Sequence, residues 1–298
     1  MKKIKTVRFI SNGYGLAEEF IGVVQNKILK ESINVTFVKE GIADLVIILG
    51  GDGTVISAAR ETHFDENTIY LAVNFGDKGF LTNIKKEEAL EVITDILKKP
   101  QNYETQKINV LDIDIVYTNG VVKKQFAFNE IWLKGEDDCL IKFKQYSSEG
   151  LLQKFTATGV IVATPAGSTA VAMSAGGPVI INGDVMMSAI NLPSEVGTED
   201  RYFKNPIIDT DMDFRFITKK EFEMEQVKKG NVKDGKLLYE HTKYKLVIKV
   251  DNTVIDKIYP EEIEKVAIKI CKRLQFVKIK DETRTNKMRE CILKIRDN

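Results

Sequence analysis

Five consecutive apolar residues, Leu45-Val46-Ile47-Ile48-Leu49, run directly into Gly50-Gly51-Asp52-Gly53-Thr54 and then into a helix-compatible segment at 55–60. A strand without a polar face must be covered on both sides, which points to a parallel sheet with helices on its two faces. The first hundred residues keep that rhythm. Residues 7–10, 34–38 and 69–73 read as further strands. Phe20, Val23, Val24, Ile28 and Leu29 have helical spacing within 16–30, and Ala89, Leu90, Ile93, Ile96 and Leu97 mark a charged helix that ends at Lys98-Lys99-Pro100. The expected class for this part is α/β with a Rossmann-like parallel sheet.

The glycine turn sits where such a sheet binds ligands, at the carboxyl end of a strand and the N-terminus of the next helix. Gly50, Gly51 and Gly53 let a backbone approach phosphate oxygens without an intervening Cβ, and Thr54 could cap the helix or bond a phosphate. Asp52 is the unusual member, because a carboxylate repels phosphate. It makes sense as a metal ligand or as the acceptor of a hydroxyl proton; the plainer alternative is a helix cap. The turn lacks GxxxxGK[ST] and is not a P-loop. Gly13-Tyr14-Gly15 is only a partial dinucleotide fingerprint, since Glu18 stands where the third glycine belongs, and it reads as a loop.

After Pro100 the texture becomes mainly β. Residues 110–116 and 121–128 are strand-like around Thr118-Asn119-Gly120, a hairpin signal, and 140–143, 160–163, 214–218 and 246–250 are further strands. Asp251-Asn252 is a second turn. Residues 219–236 are strongly charged and read as a solvated loop or insertion, and 282–294 are compatible with a charged helix.

Composition excludes several classes. The 298 residues suggest about two domains. Lys plus Arg number 44 against 43 for Asp plus Glu, a formal charge of +1, which argues against broad nucleic-acid binding. Neither a membrane span nor a signal-like leader is read from the chain. Cys139, Cys271 and Cys291 are scattered, so a reducing, cytoplasmic setting is expected rather than a disulfide framework. His63 and His241 stand apart with no cysteine cluster nearby, so no structural zinc site is expected. His63 reads as a surface or helix-end residue, Trp132 as core, and Glu136, Asp137 and Asp138 as a turn.

Three more segments complete a pattern with the glycine turn: Asn74-Phe75-Gly76-Asp77-Lys78-Gly79-Phe80-Leu81, Phe128-Asn129-Glu130, and Ala163-Thr164-Pro165-Ala166-Gly167-Ser168-Thr169-Ala170 running on to Ser174-Ala175-Gly176-Gly177-Pro178. In this order and spacing the chain resembles the ATP-NAD kinase family. The resemblance implies an α/β nucleotide-binding domain at 1–99, a larger β-rich, sandwich-type substrate domain at 100–270, and a segment at 271–298 that packs back on the first domain. It implies transfer of the γ-phosphoryl group of ATP to the 2′-hydroxyl of the adenosine ribose of NAD, giving NADP, with Mg²⁺ or another divalent cation held mostly by nucleotide and water. It also implies a homo-oligomer, a dimer or tetramer. Asp52 matches the family's catalytic aspartate, with Gly53 beside it at the substrate. Asn129 and Glu130 match the substrate-binding pair, Thr169, Ala170 and Ser174 match substrate contacts, and Asn74 matches a position near the nucleotide. Phe80 could stack on adenine or belong to the core.

Two positions depart from the pattern. Thr158-Gly159 stands where Asp-Gly is usual, and Val171 where Tyr is usual, so an acid and an aromatic ring are absent from the side associated with nicotinamide. A dinucleotide-binding paralogue without turnover or with altered specificity is the alternative. A diacylglycerol-type lipid kinase shares the glycine turn but not the Val55-Ile56-Ser57 continuation or the 164–170 block.

Overall fold

The computed structural model describes residues 1–11, 13, 15–76, 81–82, 84–181, 183–191, 206–208, 211–216, 224, 227–228, 230, 232–233, 236–237 and 244–279. The expected helix at 282–294, Phe80 and most of 219–236 lie outside them. Two compact units emerge, one comprising Met1–Asn109 with Lys272–Asn298, the other Val110–Cys271.

The first unit is the expected α/β domain. Its chain runs β1 (Thr6–Ser11), α1 (Gly15–Lys30), β2 (Thr36–Val38), β3 (Leu45–Gly50), α2 (Asp52–Glu61), β4 (Ile69–Asn74), β5 (Ile84–Lys85), α3 (Lys86–Lys98) and the start of β6 (Glu104–Tyr117). Strands β2, β1, β3 and β4 lie side by side and parallel, with β3 pairing residue for residue with β4 from Leu45–Ile69 to Gly50–Asn74. Every residue of β3 is buried, as its wholly apolar sequence requires. Leu45, Ile47 and Leu49 join Leu71 and Val73 under Val24 and Ile28 of α1 and Ile93 and Ile96 of α3. Val46 and Ile48 alternate to the other face, and α2, with Val55, Ala58 and Ala59 buried, packs against β3.

The second unit is all but entirely β. Its chain continues through β6, β7 (Val122–Ala127), β8 (Glu130–Gly135), β9 (Ile141–Ser147), β10 (Gly150–Ala157), β11 (Gly159–Ala163), the short α4 (Val171–Ser174), β12 (Met186–Asn191), β13 (Ile207–Ile208), β14 (Met212–Phe216), the small β15 (Val232–Lys233) and β16 (Lys236–Leu237), β17 (Leu246–Val250), β18 (Thr253–Ile258) and β19 (Ile263–Lys278). One sheet orders β10-β9-β14-β19, with β6 and β7 following on β19; the other orders β13-β12-β11-β8-β17-β18. The core draws on both sheets. Leu111, Ile113, Ile115, Phe143, Phe155 and Phe214 from the first meet Ile131, Leu133, Val160, Val162, Leu246 and Ile248 from the second. Period-two burial along β6 and β9 sends one set of side chains inward and leaves the other outside.

The hairpins differ from the sequence reading. At Thr118-Asn119-Gly120 only Gly120 takes a positive φ, of 84°, so the loop is not the two-residue mirror turn that Asn-Gly suggests. That geometry occurs instead at Asp251 and Asn252, with φ of 42° and 66° between β17 and β18. Strand β19, which the sequence reading left unassigned, pairs with β14 in its first part and runs parallel to β4 in its last, through Gln275–Ile69 and Phe276–Tyr70.

Candidate active site

In the first unit the site residues gather at the carboxyl end of β3 and β4. Gly50 and Asn74 are register partners there, and the Phe75 N–H donates to the Gly50 carbonyl at 3.2 Å. The Asn74 Oδ1 accepts from the Gly76 N–H at 2.9 Å, so its side chain fixes the turn that leaves β4. Helix α2 begins immediately: Gly51 is its N-cap, and the Thr54 and Val55 N–H groups donate to the Gly51 carbonyl at 3.0 and 3.2 Å. No side chain caps the helix at Gly51. Asp52 is therefore not the cap but the first helical residue, and its Oδ1 accepts from the Leu81 N–H at 3.0 Å.

The three glycines of the turn have different causes. A Cβ on Gly50 would stand 2.2 Å from Thr54 Oγ1, so the fold itself forbids a side chain there. A Cβ on Gly51 or Gly53 would meet nothing within 4 Å among the described residues, and Gly51 has an ordinary φ of −103°. Gly53 also sits within a helix, where glycine costs up to about 1 kcal/mol relative to alanine. Packing among the described residues explains neither glycine.

In the second unit Asn129 and Glu130 do not close a strand, as the sequence suggested: Asn129 lies in the bend after β7, and Glu130 opens β8. The Thr164 N–H donates to the Asn129 carbonyl and the Thr164 hydroxyl to the Phe128 carbonyl, both at 2.9 Å. The Thr164 Oγ1 in turn accepts from the Gly167 N–H at 3.0 Å. Gly167 is obligatory, since a Cβ there would lie 2.1 Å from the Asn129 carbonyl oxygen. The Ser168 hydroxyl donates to Pro165 and accepts from the Ile180 N–H, and the Thr169 hydroxyl donates to Ala166, so both tighten the loop. Ala170 caps α4, whose Val171 and Ser174 are exposed. The Thr158 carbonyl accepts from the Gly135 N–H at 2.9 Å.

Glu130 is only 5% exposed, and its Oε2 has no hydrogen-bond partner among the described residues. Burial, and then the negative charge of Asp251, push its carboxyl up to about 7. Asp251 is a residue that sequence reasoning saw only as part of a turn. The signal available was an acidic residue just after a strand that is apolar but for Lys249; such a residue needs donors when buried, and Asp251 is 7% exposed. The Trp132 Nε1 is likewise buried without a partner, and it leans over Gly159, where a Cβ would come within 2.8 Å of it.

Other candidates stay apart. His63 lies exposed in the turn after α2, with a φ of 53°. Glu136, Asp137 and Asp138 form a single 3₁₀ turn tied to Lys257 and Lys134. Among the described residues no three His, Cys, Asp or Glu side chains come together as a metal cage, and no helix is long and apolar enough to cross a membrane.

The comparisons with known proteins follow the same two-part plan. An α/β unit followed by a β-rich unit is a fold shared with two solved kinases. A yeast NADH kinase complexed with NADH superposes with a TM-score of 0.73 at 15% identity, covering 98% of this chain and 88% of the other. An NAD kinase from Archaeoglobus fulgidus in complex with ATP gives 0.64 at 16% identity, covering 95% and 98%. Residues 17–101 match the ATP-NAD kinase N-terminal domain and 128–192 the ATP-NAD kinase C-terminal domain. The chain belongs to the ATP-NAD kinase family. Relatives include an NAD kinase of Pseudomonas entomophila, 36% identical over 140 residues, 47% of this chain and 46% of that one. A bifunctional NADP phosphatase/NAD kinase of Methanocaldococcus jannaschii is 36% identical over 136 residues, 45% of this chain and 23% of the other. The matched stretch thus spans about half the length of the first relative and less than a quarter of the second.

Proposed function

We propose that this protein is an ATP-dependent NAD kinase, which transfers the γ-phosphoryl group of ATP to the 2′-hydroxyl of the adenosine ribose of NAD. The observation that carries the reading is the placement of Asp52. It is the first residue of a helix at the carboxyl edge of a parallel sheet, between two glycines whose missing side chains the fold does not require. Asp52 accepts the proton of the 2′-hydroxyl as its oxygen bonds to phosphorus, and the bond from that phosphorus to the ADP oxygen breaks. Gly51, Gly53 and Thr54 take the phosphates at the helix start, where main-chain N–H groups and the helix dipole favour an anion. Asn129 and Glu130 hold the acceptor ribose and adenine, with the loop of Thr169, Ala170 and Ser174 beside them.

A lone carboxylate at the glycine turn suits a divalent cation that arrives on the nucleotide, with Asp52 as its protein neighbour. Mg²⁺ there supplies charge compensation for the phosphates. We read the protein as cytoplasmic from its three scattered cysteines, and as a homo-oligomer on the resemblance of its motifs to the family. Thr158 and Val171 concentrate the departures from the family on the acceptor side, so the acceptor is where specificity is expected to differ.

The test is a coupled assay of the purified protein with ATP and Mg²⁺, in which an NADP-specific dehydrogenase reports product. NAD, NADH and other adenosine-containing acceptors are offered side by side. NADP formation from NAD is the expected result. Binding of NAD with no phosphorylation of any acceptor would replace the reading with that of a dinucleotide-binding paralogue.

A further inference from the structure

The strand end that carries Asn129 and Glu130 is not held by its own ladder alone. The Phe128 N–H donates to Asp251 Oδ2 at 2.8 Å, and the Asn129 and Glu130 N–H groups donate to Asp251 Oδ1 at 2.7 and 3.2 Å. The Asp251 N–H returns a bond to the Glu130 carbonyl at 2.9 Å. One carboxylate thus gathers three successive main-chain donors, and it does so from a turn whose positive φ aims it back at β8.

We propose that Asp251 is the positioning residue of the Asn129–Glu130 pair, setting through these three bonds where both side chains stand and, through its charge, whether Glu130 meets the acceptor sugar as a proton donor. The inference rests on the reading that Asn129 and Glu130 hold the acceptor. Three bonds to consecutive residues fix the backbone direction on both sides of Asn129, which a single bond cannot do. Charge matters separately. Glu130 Oε2 is buried with no partner among the described residues, an arrangement that costs free energy unless a ligand completes it. A neutral carboxyl can donate to a sugar oxygen and accept from a sugar hydroxyl, whereas a carboxylate can only accept.

The surroundings leave Asp251 as the neighbour that decides. Ala163 lies opposite Glu130 on β11, and the loop from Thr164 to Thr169 carries no charge. On the same sheet face Lys134 of β8 and Lys249 of β17 sit over the Trp132 ring, 5.3 and 5.5 Å from its centroid, further along the strands. The negative charge on the adjoining turn is that of Asp251, and it adds to burial in keeping the Glu130 carboxyl protonated toward neutral pH.

The experiment compares wild type with Asp251→Asn in the NADP assay from pH 5.5 to 9, varying NAD and ATP separately. The amide can still accept from Asn129 and Glu130 but faces the Phe128 N–H with a donor of its own. The expected result is a fall of tenfold or more in kcat/KM for NAD and a change of less than twofold in KM for ATP. The alkaline limb of the NAD profile, which begins near pH 7 in wild type, shifts to lower pH as the neighbouring charge disappears. A lowered melting temperature with an unmoved limb and unchanged kcat/KM for NAD would overturn the inference. Should Asp251→Asn not fold, Glu130→Gln decides: the limb must vanish, and its persistence overturns the assignment. Absence of NADP from the wild-type protein would instead overturn the functional reading, and this inference with it.

Discussion

The Asp52 carboxylate accepts the Leu81 main-chain N–H at 3.0 Å, so the residue that opens α2 is tied to the chain that leaves β4. The bond holds one carboxylate oxygen and sets the direction of the other. Asp52→Asn keeps an oxygen for the Leu81 N–H and removes the basic site. NADP formation should fall by about two to four orders of magnitude, the usual worth of a positioned proton acceptor. The melting temperature should stay within a few degrees of wild type, and turnover equal to wild type would remove Asp52 from the mechanism.

Gly50 and Gly53 should respond to alanine in opposite directions. At Gly50 the new methyl group collides with Thr54, and a loss of about 1–3 kcal/mol is expected in denaturant unfolding. At Gly53 the methyl group enters open space on a helix, so stability should rise by about 0.5–1 kcal/mol. Gly53→Ala should nevertheless phosphorylate NAD at least tenfold more slowly. A variant that is both more stable and fully active would show that no ligand approaches that backbone.

Gly167→Ala tests the other unit. Its Cβ would press on the Asn129 carbonyl, so a cost of about 1–3 kcal/mol is expected together with a raised KM for NAD. A raised KM for ATP in place of NAD would argue that Asn129 serves the donor rather than the acceptor.

Glu130 should leave a mark on stability as a function of pH. Its carboxyl is raised from 4.5 to about 7 in the folded protein. Below about pH 4.5 the folded and unfolded forms both hold the proton. Between there and about pH 7 only the folded form does, so stability falls as pH rises, and above about pH 7 the loss is complete at roughly 3 kcal/mol. Glu130→Gln removes that fall and should be the more stable protein at pH 8. Equal urea midpoints for the two proteins at pH 8 would contradict the burial of an ionising group.

The first unit was readable from the sequence because β3 has no polar residue and is followed at once by glycines. Burial on both faces and a turn at the sheet edge then leave few arrangements. The second unit was less readable. Alternating strands such as Gly150–Ala157 carry Gln153 and Lys154 among their apolar residues and look like loops until their partners are known. Asn119-Gly120 has the stronger mirror-turn signal, yet Asp251-Asn252 adopts that geometry, because the Asp251 carboxylate is satisfied by three N–H groups more than 120 residues away in the chain. Such long-range bonds leave little local trace beyond an acid at the end of a mainly apolar strand, which is also why Asp251 escaped notice as part of the candidate site.

The late return of β19 has a consequence for how the protein is made. Ile69 and Tyr70 have β3 on one side and take Gln275 and Phe276 on the other, so this stretch of sheet keeps a raw edge until some two hundred more residues have left the ribosome. The first unit is begun first and finished last. During synthesis that open edge is where a nascent chain of this kind most needs shielding from its neighbours.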